Sequence, residues 1–211
     1  MKLQRAVDGL EAKGRIRAGL GRLSRPSRWF YSLFLLVLLS ALSAADLRAQ
    51  QTRPTESQVK AAYLFNFGKF VRWPVPANGR VDSLQICVLG RSSFGTVLDA
   101  TVKDETIASQ PVVARNIASM READGCHILF VSMSEEARLG TILAGAKRSP
   151  VLTVSDIPHF AERGGMIGLV KQEDRIRFEV NVAPIEDSGL TVSSELLKVA
   201  LRVIRKRAGG N

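Results

Sequence analysis

The chain has 211 residues, 45% of them hydrophobic, with two cysteines and 30 Lys+Arg against 20 Asp+Glu, a composition that excludes a disordered or fibrous chain and fits one globular domain. The formal charge of +10 would suit a nucleic-acid or membrane-surface partner, but residues 1–49 hold nine basic and three acidic residues, and Arg202, Arg205, Lys206 and Arg207 crowd the C-terminus. The body between them is close to neutral and has no basic face to follow phosphates, so nucleic-acid binding is disfavoured.

From Trp29 to Ala45 the chain reads WFYSLFLLVLLSALSAA, an uncharged apolar run of 17 residues after repeated arginines and before small residues. That layout predicts a signal peptide over 1–49, cleaved after Ala45 or Ala49, which exports residues 50–211 as a single domain with no stable membrane anchor. The run is at the short limit for a span, which makes an uncleaved anchor the structural alternative. Export to an oxidising compartment makes Cys87 and Cys126 a candidate pair, with two buried thiols as the other reading.

In the mature chain, Val59, Tyr63, Phe67 and Phe70 recur at helical spacing and predict a first helix, capped by Thr55 or Ser57 and closed by Trp73-Pro74. Phe65 falls off that stripe. A helix apolar on a second face can dock another protein, so Phe65, Lys69 and Trp73 are the candidate partner-binding residues. LQICVLG (84–90) then predicts a strand, SSFGTVLDATV a helix, and PVVARNI (111–117) and GCHILFVS (125–132) two further strands. SEEARLGTILAGAKR (134–148) predicts a helix with Ser134 as its cap. PVLTVSD (150–156) predicts a strand, and IPHFAERGG a short helical segment. MIGLVKQ and RIRFEVN flank Glu173-Asp174 as a hairpin, and a last helix runs from Ser193 to Ile204. Apolar strands alternating with helices predict an α/β fold, a mostly parallel sheet with helices on both faces and an antiparallel hairpin at its C-terminal edge.

Motifs for chemistry are sparse. Gly90 and Gly95 bracket a loop after a strand, but no lysine follows as a phosphate loop requires. His127 and His159 have no exposed serine on a strand-to-helix turn to activate, and with Cys87 and Cys126 they lack the close spacing of zinc ligands. No catalytic, cofactor-binding or metal-binding residue is assigned, and the protein is expected not to be an enzyme. Strand ends in such sheets are where ligands sit, so Gly90, Gly95, Ser155 and Asp156 outline the crevice of an alternative reading, a small-molecule binding module.

Six stretches together resemble the YfiR family of periplasmic proteins: VKAAYLFNFGKFVRWP (59–74), ICVLGRSSFG (86–95), CHILFVSMSE (126–135), VLTVSDIPHFAERGGMIGLV (151–170), RIRFEVN (175–181) and GLTVSSELLKVALRV (189–203). The resemblance implies a small α/β regulator in the periplasm, and we expect it to be a homodimer without a cofactor. It would bind the periplasmic part of an inner-membrane sensor or diguanylate cyclase and repress it until envelope or redox stress intervenes. Cys87 and Cys126 match one cysteine pair of the redox-sensitive members, and a second, closely spaced pair is absent. In a flavodoxin-like order the first and third strands are neighbours, which brings the two cysteines within reach of a disulfide.

Overall fold

The structure is a computed structural model that describes Trp29 and residues 53–74, 82–147 and 149–205. Apart from Trp29, the signal peptide expected over 1–49 lies outside the described residues.

The first helix, α1 (Glu56–Phe70), starts at a capping box in which the Thr55 side chain accepts from the Gln58 N–H and the Gln58 side chain accepts from Thr55 N–H. It ends where Val71 turns extended into β1 (Val71–Arg72). Chain order then gives β2 (Leu84–Leu89), α2 (Val97–Val102), β3 (Thr106–Ile107), β4 (Gln110–Ile117), β5 (Ile128–Val131), α3 (Leu139–Ala146) and β6 (Leu152–Ser155). The remainder is β7 (Ile167–Gln172), β8 (Arg175–Asn181), α4 (Val182–Asp187), β9 (Thr191–Val192), α5 (Ser194–Val199) and β10 (Arg202–Ile204).

The main sheet runs β10-β8-β7-β6-β5-β2-β4-β3. Neighbours from β4 through β7 are parallel, while β7 with β8 and β3 with β4 are antiparallel. The β7–β8 turn is two residues long, and both Glu173 (φ 48°) and Asp174 (φ 58°) are left-handed, the mirror-image turn whose twist suits a hairpin. The first parallel strand lies between the second and third, as expected.

Both faces of the central strands are covered. Ile86, Val88, Ile128, Phe130, Leu152 and Val154 pack into the core beneath α1 and α2. Cys87, Leu89, Leu129 and Val131 face the opposite core with Leu139, Ile142, Leu143 and Ala146 of α3. Successive strand residues point to opposite faces, so a strand buried on both reads as a continuous apolar run.

Three expected elements differ. The segment expected as a helix from Ser134 begins as a 3-10 stretch, Met133–Arg138, with no side-chain cap bond. The Ser134 hydroxyl accepts from Arg91 N–H at 3.0 Å and so ties the segment to the β2 loop. IPHFAERGG forms turns, because His159 is left-handed (φ 58°) and breaks a helical run. The final helix stops at Val199, and Arg202–Ile204 pairs in parallel with β8 as an edge strand. There the Arg202 guanidinium meets both carboxylate oxygens of Glu179 at 3.0 Å, fixing an extended register that helical spacing alone did not reveal.

Candidate functional site

The buried face of α1 is rotated from the one its large side chains suggest. Ala61, Leu64, Phe65, Phe67 and Gly68 are buried, Tyr63 and Val59 are half-buried at the margin, and Phe70 is 37% exposed. Small residues set this orientation: a Cβ on Gly68 would lie 2.7 Å from Ile107 Cδ1, so the helix backbone closes directly on the sheet's edge. The expectation that Phe65 lies off the core face is therefore corrected. At 9% exposure it belongs to the main core cluster, and Phe65→Ala is expected to cost about 3 kcal/mol of stability in chemical denaturation.

The carboxyl ends of β2, β5 and β6 are filled by the protein itself. A Cβ on Gly90 (φ 90°) would sit 2.6 Å from both Glu135 Oε1 and Ser134 Oγ, so those side chains occupy the space above the loop. Glu135, buried, is met by Arg138 Nε. Ser155, fully buried, donates from Oγ to Val131 O at 2.6 Å and accepts from Ile157 N–H at 3.0 Å. Asp156 Oδ2 takes the Lys60 ammonium at 2.5 Å, and Glu56 Oε1 meets the same nitrogen at 2.5 Å. Gly95 borders a recess of about 10 Å³ with Ser92, Asp99 and Arg115, room for no more than a water molecule. The four crevice residues thus lie around closed structure rather than an open pocket.

Lys60 is the buried cation of that region, 7% exposed and carried on the sheet-facing side of α1. Burial pulls its pKa down, but the bonds from Asp156 and Glu56 outweigh this and the net shift is upward, so the ammonium stays charged.

At the other end of the sheet, Cys87 and Cys126 are joined by a disulfide with Cα atoms 5.9 Å apart. Arg115 Nη2 donates to Glu122 O at 2.9 Å and Asp124 O at 2.8 Å and lies 3.4 Å from Cys126 Sγ, pinning the loop that carries that cysteine. Beside it, His127 Nδ1 accepts from Gln85 N–H at 3.1 Å, and burial lowers the imidazole pKa. Trp73 is half-buried: its indole N–H donates to His127 O at 3.0 Å and its ring meets the His127 ring edge-on. Both histidine and tryptophan are engaged within the fold.

An open groove of about 410 Å³ lies where α1 ends. Arg72 and Thr191 are cross-strand partners in the two-stranded β1–β9 ribbon and line the groove, while their neighbours Val71 and Val192 pack with the core. Lys69 and Phe70 line it from the last turn of α1, and Ser193, Ser194 and Glu195 from the start of α5. Ser193 N–H donates to Phe70 O at 2.9 Å and ties the two sides together. Lys69 Nζ rests 4.1 Å from the centre of the Phe65 ring, so the buried phenyl positions the exposed ammonium. Of the three expected partner-binding residues, Lys69 lines the groove, Phe65 lies beneath Lys69, and Trp73 turns toward His127. Phe70 stood on the stripe expected to face the core and instead faces the groove, while Arg72, Thr191 and Glu195 carried no signal in the sequence, because the two-residue strands and the helix start that bring them together are too short for a period.

A family model described as YfiR/HmsC-like matches residues 57–201. Among solved structures, a conserved domain protein from Vibrio cholerae aligns with a TM-score of 0.49 at 10% identity, covering 71% of this chain and 60% of its own. An ABC domain in complex with L-Trp from Streptococcus pneumoniae gives 0.41 at 15% identity, covering 57% of this chain and 55% of its own. This chain thus spans less than two thirds of either protein.

Proposed function

We propose, from the premise that this chain belongs to the YfiR/HmsC-like family, that it is a periplasmic regulator which binds a membrane signalling protein, a diguanylate cyclase, and restrains it until envelope or redox stress intervenes. The match across 57–201 carries the reading, since the family is regulatory rather than catalytic. Residues 1–49 serve as the export signal and 50–211 as the single regulatory domain. Among the described residues no helix is long and apolar enough to cross a membrane. The closed strand-end region fits the same reading better than a small-molecule module, because Ser134, Glu135, Lys60 and Asp156 fill the place a ligand would take.

The test is deletion of the gene with measurement of cellular cyclic di-GMP. Loss of the regulator is expected to raise it severalfold, and the intact gene restores it. An unchanged level in the deletion strain would overturn the cyclase as partner.

A further inference from the structure

We infer that the groove between the end of α1 and the start of α5 is the docking surface for the membrane partner, and that it takes an extended, acidic segment with an apolar side chain beside the carboxylates. The inference rests on the regulatory reading above and adds to it the place and chemistry of the contact.

Charge supplies the first argument. Two cations, Lys69 and Arg72, face one anion, Glu195, across the groove. Among the described residues no ion pair engages Lys69 or Arg72, whereas Arg138, Arg163 and Arg202 all meet carboxylates of their own chain. The Phe65 ring beneath Lys69 holds that ammonium at the groove without neutralising it. Two unpaired cations in one concave site attract carboxylates and steer their approach.

Shape and polarity supply the second. Phe70 is a large aromatic left 37% exposed in the last turn of a helix whose other phenylalanines are buried. An exposed aromatic flanked by cations matches the anchors found at interface centres. The hydroxyls of Thr191, Ser193 and Ser194 line the same groove, with Ser193 capping α5 by accepting from Leu196 N–H. The ribbon, two residues per strand, exposes its Arg72–Thr191 face, so an extended segment can lie along it with side chains alternating between Phe70 and the cations.

The experiment is a binding titration between the protein as exported and a detergent-solubilised membrane diguanylate cyclase of the same organism, at about 50 and about 300 mM salt. The wild type is expected to bind, and more weakly at the higher salt. Lys69→Glu/Arg72→Glu is expected to weaken binding roughly hundredfold and to flatten the salt dependence, with melting temperature unchanged because both side chains are exposed. Lys69→Gln/Arg72→Gln, which reverses no charge, is expected to lose roughly tenfold and covers the case in which the double reversal melts early. Wild-type binding that both variants retain within about twofold would overturn the groove while leaving the regulatory reading intact. Binding indifferent to salt would overturn the acidic segment. Absence of wild-type binding would instead remove the cyclase as partner, and the groove assignment with it.

Discussion

Replacing Lys60 with methionine is expected to lower the unfolding free energy by about 3–5 kcal/mol, although methionine nearly matches the lysine in length and suits a helix. The ammonium is the charge that Asp156 faces from 2.5 Å, and Asp156 Oδ1 is already buried without a hydrogen-bond partner. Without the cation, that mostly buried carboxylate remains at the end of β6 under α1 without its countercharge, and an uncompensated buried charge costs more than the intact pair contributes. Glu56 does not share this dependence. Its side chain is 53% exposed, so its own contact with Lys60 is a helix-surface pair worth a few tenths of a kcal/mol in solvent.

The double variant Lys60→Met/Asp156→Leu separates charge from packing. If the loss in Lys60→Met is the stranded carboxylate, removing it as well is expected to restore most of the stability, because apolar replacement of both partners of a buried pair is often neutral. Urea denaturation of the two single variants and the double gives the coupling directly. A loss below about 1 kcal/mol in Lys60→Met would mean that Asp156 reaches solvent on its own.

Lys60 also shows what a sequence conceals. Its place in the chain is an ordinary charged position in an amphipathic helix, and only the rotation of α1 carries it inside. Spacing of large apolar residues pointed to Val59, Tyr63, Phe67 and Phe70. The helix instead turns Ala61, Leu64 and Gly68 to the sheet, because small residues permit the close approach that buries Phe65 and Phe67 on either side. The strands were legible for the opposite reason: LQICVL, ILFV and LTVS are buried on both faces and bounded by polar or turn residues. The last strand was not, since Leu196, Leu197, Ala200, Leu201 and Ile204 satisfy a helical period while Arg202 and Glu179 settle the conformation through a contact distant in sequence. The groove is hidden in the sequence for a related reason. It is assembled from a helix end, two two-residue strands and a helix start, and none of these has enough residues for a periodic signal.

Removing the disulfide is expected to destabilise the protein by about 4 kcal/mol, because the bond between Cys87 and Cys126 spans 39 positions and in the chain-entropy model constrains the unfolded chain by that amount. The loop it closes contains α2, β3 and β4, so reduction frees one whole side of the sheet in the unfolded state while leaving the native register in place. Native contacts are expected to persist, since Cys87 lies in the middle of β2 between β4 and β5, and Arg115 holds the Cys126 loop through Glu122 O and Asp124 O. Cys87→Ala/Cys126→Ala is therefore expected to fold, to unfold at lower denaturant, and to keep a near-native m-value per unit of exposed surface. Cys87→Ala alone is expected to match the double variant within about 1 kcal/mol, because either change opens the same loop and the remaining thiol is small and apolar enough to stay buried. The comparison of oxidised wild type, reduced wild type and the double variant by urea denaturation decides it. Equal stability of oxidised and reduced wild type would show that the unfolded chain is already held by residual structure around β2 and β5, and the entropic account of this bond would fail.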